Sequence, residues 1–199
     1  MSRKLQQVPV RLDSKGVTHL SPEDLAAILR AADPLIMSGG RTLLSKILKG
    51  SHDRKIIDLK LDACPAFGYF KQLDHTEILA RIDWAILNSF LTLEYSGRLP
   101  LLSYTSKGWE IEKDTYSTEL LMTLKDMAVQ KCTSEDCIFL KDKNRSLILL
   151  LLDKIAYSKD PTYFHVLKLW EQIEYKKVRH RIQQIIQAID GIDPNDKVL

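Results

Sequence analysis

The sequence predicts a mainly helical protein that contains one small β-hairpin. Apolar residues recur at helical spacing, behind helix-start signals, through most of the 199 residues. Between residues 90 and 105 the period changes, and two β-prone runs, 90–95 and 99–105, flank a turn signal at Ser96 and Gly97. After the hairpin only helical patterns return. The fold class is therefore a helical region with a hairpin, followed by an all-α region.

The first helix follows from "SPEDLAAILRAAD", residues 21–33. Ser21 can cap it, Pro22 suits the first helical position, and Glu23 and Asp24 complement the helix dipole. Pro34 ends it, because a proline cannot continue the backbone hydrogen bonds. The apolar positions on its inner face are Leu25, Ile28, Leu29 and Ala32.

A second helix is predicted from "GGRTLLSKILKG", where Gly50 provides a natural C-terminal stop. Ser51 is then predicted to cap a third helix. Asp74 and Glu77 frame a capping box for the next helix. Pro100 suits an edge or bulged strand, so the hairpin that follows is predicted to be an exposed flap. Helices followed by a hairpin are the chain order of a winged helix.

The second half predicts helices alone, near residues 117–130, 145–157, 160–175 and 176–190. Asp160 is the predicted cap of the third of these helices and Gly191 the end of the fourth. The "DP" start and the "VRxR" helix weakly resemble a HEAT-type repeat. At most one repeat is visible, whereas solenoids need about three. The predicted domains are an N-terminal arm, a winged-helix domain and a C-terminal helical domain, at residues 1–19, 20–113 and 114–199.

Composition places the chain among ordinary globular proteins, with 45% hydrophobic and 28% charged residues. The three cysteines, Cys64, Cys132 and Cys137, are odd in number and widely spaced, which does not suggest a disulfide framework. The N-terminus lacks the apolar core of a signal peptide. The longest apolar run, "LILLLL", is too short to span a membrane. These features predict a cytoplasmic protein without a membrane segment.

No pattern of catalytic, metal-binding or cofactor-binding residues is visible. Cys132 and Cys137 are separated by four residues, which can suit a metal, but no histidine lies near them in sequence. The stretch "GGRTLLSK" lacks the second glycine and the Gly–Lys pair of an ATP-binding loop, which excludes an ATP-driven motor. No Ser–His–Asp or paired-carboxylate pattern is present. We therefore predict no enzyme activity, no cofactor, no metal and no small-molecule substrate.

Positive charge is concentrated between residues 41 and 60. Six cations face two carboxylates, Asp53 and Asp58, an excess of four, while the whole chain has a formal net charge of +3. A helix start at Ser51, with free backbone N–H groups and a hydroxyl, would form a phosphate site that Gly50 leaves open. Asp53 would repel phosphate unless it pairs with a nearby cation. The simpler interpretation is a solvated turn between two core helices. The six cations are Arg41, Lys46, Lys49, Arg54, Lys55 and Lys60.

Two further groups of residues have two interpretations each. In one interpretation, Tyr95 and Arg98 at the hairpin tip stack on an exposed base or enter a DNA groove. In the other, Tyr95 merely covers its partner strand. The run "YKKVRHR" would form a second phosphate contact, or it is the solvated face of an amphipathic helix. The cations of this possible second DNA contact are Lys176, Lys177, Arg179 and Arg181.

The stretch "ILKGSHDRKIIDLKLDACPAFGYF", residues 47–70, resembles the RQC domain, the winged helix that follows the motor in RecQ-family DNA helicases. Residues 78–112 are similar to the family's helix, wing hairpin and closing turn at Thr105, Lys107 and Gly108. The resemblance covers residues 20–112 and suggests a stand-alone RQC-domain protein of the bacterial minor RQC family, with a helical extension. The positions that match the corner motif are Lys49, Gly50, Ser51, Arg54, Lys55, Phe67, Gly68 and Tyr69.

The resemblance implies binding of duplex DNA, with ends, forks or other non-standard structures as targets. It implies a phosphate-gripping role for Lys49, Ser51, Arg54 and Lys55. The hairpin is shorter than those of the family members that separate DNA strands, which argues against strand separation by this wing. We therefore expect a nucleoid-associated protein of DNA repair or replication, with a helicase or other DNA-processing protein as a possible partner. The alternative is a protein–protein interaction adaptor. The predicted DNA contacts are Arg41, Lys46, Lys49, Gly50, Ser51, Arg54, Lys55, Lys60, Tyr95 and Arg98.

Overall fold

The computed structural model describes residues 7–130 and 132–190. Eight α-helices and one antiparallel hairpin are found in these ranges, which confirms the predicted fold class. The chain divides into two compact units between Glu112 and Lys113. The elements are α1 (Pro22–Ala32), α2 (Arg41–Lys49), α3 (Arg54–Asp58), α4 (His75–Leu87), β1 (Leu91–Ser96), β2 (Leu99–Tyr104), α5 (Ser106–Val129), α6 (Arg145–Ser158), α7 (Tyr163–Ile173) and α8 (Lys176–Asp190).

The core of the first unit is formed by α1, α2 and α4 with the base of the hairpin. Two predicted helix starts are confirmed. The Ser21 Oγ accepts a hydrogen bond from the Asp24 N–H at 3.0 Å, and Asp74 and Glu77 form a reciprocal capping box at the start of α4. Because these caps fix where each helix begins, they also fix which side chains face the core. The fully buried residues of this core include Ile28, Leu29, Leu44, Ile47, Leu48, Ile78 and Ile82.

The hairpin is a flap only at its tip. Its strands pair from Leu91 opposite Tyr104 to Ser96 opposite Leu99, and Gly97, at a φ of 60°, begins the two-residue turn. The base is buried, because the N–H and the carbonyl of Leu102 bond the backbone of residues 39 and 37 at 2.9 and 2.8 Å. The predicted exposed flap is therefore found at the tip of a two-stranded sheet, while its base is buried. The segment before α2 pairs with the outer edge of β2.

Helix α5 begins about ten residues earlier than the sequence predicts. The Thr105 Oγ1 accepts a hydrogen bond from the Gly108 N–H at 3.1 Å, so the turn after the hairpin is also the first turn of the helix. A Cβ atom at Gly108 would lie 1.9 Å from the Phe90 carbonyl oxygen, which explains the glycine. The helix runs to Val129, and the predicted domain boundary at residue 113 lies inside it.

The second unit packs α6, α7 and α8 around a buried Trp170. Helix α7 begins at Tyr163, later than predicted, because the Asp160 carboxylate accepts the Thr162 N–H at 3.0 Å in the preceding turn. The predicted stop at Gly191 lies outside the described residues. Within residues 7–130 and 132–190, no helix has the length and apolar character needed to cross a membrane.

Candidate functional site

The predicted phosphate site lies at the corner between α2 and α3, residues 50–55. Gly50 ends α2 in the left-handed conformation at a φ of 76°, as predicted. Helix α3 has only five residues and begins at Arg54, with Asp53 in the N-cap position. The Ser51 Oγ instead accepts the Asp53 N–H at 3.3 Å. The prediction that Ser51 caps the third helix is therefore wrong, and such a short helix adds little dipole of its own.

The open backbone at Gly50 is used by the protein itself. A Cβ atom at Gly50 would lie 3.0 Å from the Cα of Gly68. The N–H groups of Gly68 and Phe70 donate to the carbonyls of Ile47 and Leu48 at 2.9 and 2.8 Å. The segment around Gly68 therefore lies against the end of α2. This contact requires a glycine at position 50, whether or not DNA also approaches it.

Arg41 and Lys46, two of the six predicted cations, form ion pairs with carboxylates of the same unit. Arg41 forms an ion pair with Asp83, a buried residue of α4 whose second oxygen accepts the Asp13 N–H at 2.8 Å. Lys46 forms an ion pair with Asp53. The hydrogen bond from Lys46, followed by that from Ser51, holds the pKa of Asp53 below its usual value. Asp53 thus has the cation partner that phosphate binding at the corner requires.

The other four cations differ in how they are held. The Lys49 Nζ donates to the carbonyls of Lys71 and Leu73, both at 2.7 Å, so its charge is fixed at the end of α2. The Arg54 side chain is 94% exposed and forms a solvent-exposed ion pair with Asp58 at 3.4 Å, which neutralises it only weakly. Lys55 and Lys60 are exposed and form no ion pair with any residue that the structure describes. Arg54, Lys55 and Lys60 are therefore the cations best placed for an external phosphate.

A groove of about 470 Å³ connects the corner with the hairpin. Its lining includes Arg41, Lys46 and Lys55 of α2 and α3 and Leu99 and Pro100 of β2. Residues 8–10 of the N-terminal arm line its edge. The fold therefore brings together a basic corner and a wing that lie about forty residues apart in the sequence.

The N-terminal arm also contacts the wing tip. The Tyr95 hydroxyl donates to the Val8 carbonyl at 2.8 Å, and the Val8 N–H donates to the Arg98 carbonyl at 3.0 Å. Tyr95 is 37% exposed, while Leu99 is 61% exposed. Base stacking by Tyr95 stays a prediction, but its hydroxyl already holds the arm. Sequence reasoning missed this role of the arm, because nothing in its composition marks a contact with the hairpin.

Asp83 is the second residue of the site that sequence reasoning missed. It is a carboxylate among the apolar positions of α4, and it joins α2, α4 and the arm through Arg41 and Asp13. A buried charge costs free energy unless it is paired. A lone carboxylate at a core-facing position was therefore the available signal that a cation lies opposite.

The four cations of the predicted second DNA contact lie on α8, where the two arginines are bonded within the unit and the two lysines are exposed. Arg179 donates to the carbonyls of Glu171 and Glu174 at 3.2 and 2.7 Å, at the end of α7. Arg181 pairs with Asp153 of α6 at 2.8 Å. Both arginines thus hold the second unit together. Lys176 and Lys177 are exposed at the start of α8.

The thiols form no metal site in the described part of the chain. No cluster of three or more histidine, cysteine or acidic residues is placed there to hold a metal ion. None of Cys64, Cys132 and Cys137 forms a disulfide bond among the described residues. Burial raises the pKa of the Cys137 thiol to about 11, which keeps it protonated at neutral pH.

Comparison with known families gives one result. The RQC domain family matches residues 22–127, more than half of the chain, and confirms the resemblance drawn from residues 47–70 and 78–112. The RQC domain is a winged-helix domain found in RecQ helicases, and it is itself a non-catalytic, nucleic-acid-binding domain. No curated protein and no solved structure has significant similarity to the chain. The match includes α1, the corner, the wing and most of α5.

Proposed function

This chain belongs to the RQC domain family. We propose that it binds the phosphate backbone of duplex DNA, without motor or other enzymatic activity. DNA ends, forks and other non-standard structures are the proposed targets. The binding surface is the groove between the corner and the wing. Such a protein would act on the nucleoid, in the cytoplasm, in DNA repair or replication, with a helicase or another DNA-processing protein as partner.

One observation carries the proposal. Lys55 and the wing residue Leu99 line the same groove, and Arg54 and Lys60 are exposed on the short segment that contains Lys55. A phosphate backbone lying along this groove would contact both the cations and the wing. The Ser51 hydroxyl is a further donor for phosphate oxygens, whereas the N–H groups of Gly50, Ser51 and Asp53 already donate within the protein.

The charges of the corner favour recognition of shape rather than of sequence. Lysine and arginine contacts to phosphate position a protein on DNA but carry no base information. Helix α3, which begins at the corner, has only five residues, too few for a recognition helix in the major groove. We therefore expect affinity that depends strongly on salt and little on base sequence.

The test replaces two of the three exposed cations by glutamine, which retains helix propensity. Arg54→Gln/Lys55→Gln is compared with a control of equal charge change, Lys159→Gln/Lys168→Gln, in fluorescence anisotropy with a labelled blunt duplex. Loss of two phosphate contacts weakens binding and makes the slope of log K against log salt shallower by about 2. Lys49 is left intact, because its replacement would remove two hydrogen bonds within the protein.

Equal affinity and equal salt slope for the two double variants would contradict the proposed surface. The same assay with a fork, a Holliday junction, a single strand and a quadruplex ranks the DNA structures. Stronger binding to forks or ends than to a blunt duplex of equal length supports recognition of non-standard structures. Equal affinity for all duplex forms contradicts that part of the proposal.

A second candidate function, that of a protein–protein adaptor, is favoured by exposed apolar side chains of the second unit. Met122 and Val129 of α5 and Ile138 and Phe139 of the following 3-10 segment are large and exposed. Apolar side chains of this kind are common at protein interfaces. Absence of binding to every DNA structure at low salt would favour this function over the first.

A further inference from the structure

We propose that the second unit contains its own site for an unpaired nucleic-acid strand, in the groove where α6 and α8 begin. The groove has a volume of about 270 Å³ and is lined by residues of the segments 141–148 and 174–178. This inference goes beyond the proposed function, because it concerns another unit and another form of nucleic acid. It does not depend on duplex binding at the corner.

The groove concentrates positive charge that the sequence keeps apart. Five cations line it, three from the segment before and at the start of α6 and two from the start of α8. None of the five forms an ion pair with a carboxylate of the described residues. Both helices begin here, so the positive ends of their dipoles add to the field. The five are Lys141, Lys143, Arg145, Lys176 and Lys177.

Nearby carboxylates do not neutralise these cations. Glu174 lines the groove but is only 3% exposed. Its Oε1 accepts the Trp170 Nε1–H at 2.9 Å, and its Oε2 accepts the Tyr175 N–H at 3.1 Å. Asp142 lies between two of the lysines and is exposed. Five cations therefore face two carboxylates, one of which is occupied by hydrogen bonds within its own unit.

An exposed aromatic ring distinguishes the expected ligand from a general anion. Tyr175 is 67% exposed at the groove, and the Lys141 Nζ lies 5.1 Å from the centre of its ring. Cations that follow a phosphate backbone, together with an aromatic ring on which a base stacks, are the common arrangement for binding single strands. Bases within a duplex are already stacked on their neighbours. The combination therefore favours an unpaired strand over a duplex.

The charge test uses the full chain and a matched control. Arg145→Gln/Lys176→Gln/Lys177→Gln changes three exposed cations, and Lys125→Gln/Lys159→Gln/Lys168→Gln removes the same charge elsewhere in the second unit. Lys159 follows α6, about 20 Å along the helix from Arg145. Binding of labelled oligothymidylate and oligouridylate is measured by anisotropy. The groove variant is expected to bind at least one of them more weakly than the control, with a salt slope shallower by about 2.

The stacking test compares Tyr175→Ala with Tyr175→Phe. The alanine variant is expected to lose about tenfold in affinity, while the phenylalanine variant retains it, because stacking needs the ring and not the hydroxyl. Circular dichroism melting curves that match the wild type show that the exposed substitutions leave the fold intact. Arg54→Gln/Lys55→Gln is expected to retain single-strand binding through the groove, which separates this site from the corner.

Equal strand binding by the groove variant and its control would overturn the proposal, as would equal binding by Tyr175→Ala and the wild type. Binding of a glutamate-rich peptide, with no binding of either oligonucleotide, would also overturn it, in favour of an acidic protein partner. If the corner variant loses duplex binding and the groove variant does not, the proposed function stands on its own. If the groove variant is the only variant that loses strand binding, the inference stands even where the proposed function fails.

Discussion

The substitution Gly50→Ala separates two roles of the corner, DNA approach and packing within the protein. In the structure, Gly50 has a φ of 76°, and a Cβ atom there would lie 3.0 Å from the Cα of Gly68. Both facts predict a loss of stability. If Gly50 merely left room for a DNA backbone, Gly50→Ala would instead weaken DNA binding and change the stability of the protein little.

The expected loss of stability is the sum of the cost of the left-handed backbone and the cost of the contact with Gly68. The left-handed conformation costs an alanine about 1–2 kcal/mol. The contact with Gly68 adds to this, because both atoms belong to backbone that is held by the hydrogen bond from the Gly68 N–H to Ile47 at 2.9 Å. Adding roughly 1 kcal/mol for this displacement gives a total of about 2–3 kcal/mol. Gly16, at a φ of 80° with nothing within 4 Å, provides a control that lacks the second term.

The assay is urea and thermal unfolding of Gly50→Ala and Gly16→Ala, together with duplex binding well below the melting temperature. At about 4–8 °C per kcal/mol for a unit of about 100 residues, Gly50→Ala should lower Tm by about 10 °C or more, and Gly16→Ala by less. Duplex affinity of folded Gly50→Ala should equal that of the wild type. Equal stability of the two variants, with duplex binding lost only in Gly50→Ala, would refute the packing argument.

Two further predictions concern buried groups. The Arg30 guanidinium lies 3.5 Å from the fully buried Glu112 carboxylate, so Arg30→Met should cost about 3–5 kcal/mol in urea unfolding. Arg30→Met/Glu112→Leu should cost less than Arg30→Met alone, and additive losses would contradict the coupling. Because burial raises the pKa of the Cys137 thiol to about 11, alkylation of native protein at pH 8 should modify it more slowly than the partly exposed Cys64. Mass spectrometry of the digested protein checks this order, and equal rates would contradict it.

The sequence was sufficient for elements whose ends carry their own signals. Ser21, Asp74 and Glu77 place α1 and α4, because a cap is a local hydrogen bond between residues three positions apart. Gly50 marks the end of α2 and Gly97 the hairpin turn for a similar reason, since both need a positive φ. The fold class follows from these local rules and from the apolar period.

Two elements were mispredicted because a distant contact decides them. Helix α5 passes through the expected boundary, and Gly108 belongs to its first turn because it packs against the Phe90 carbonyl. The base of the hairpin is buried because residues 37–39 bond to Leu102. Neither contact has a local signal. A boundary between domains can therefore fall inside a regular helix without any change in its composition.

The candidate site shows a similar division between local and distant information. Sequence places six cations between residues 41 and 60, but their partners lie elsewhere: Arg41 pairs with Asp83, and Lys49 bonds the carbonyls of Lys71 and Leu73. In the second unit, Arg179 and Arg181 likewise bond α7 and α6. A count of charges along the chain therefore overstates the charge that is available to a ligand.

The available charge sets how many phosphates each surface can neutralise. At the corner, Arg54, Lys55 and Lys60 are the exposed cations, so about three phosphates should contribute to duplex binding there, with a salt slope near −3. The groove of the second unit has five cations from two segments, which allows a comparable slope on a single strand. Because the two sets share no residue, the two slopes can be measured separately, one with a blunt duplex and the other with a single strand.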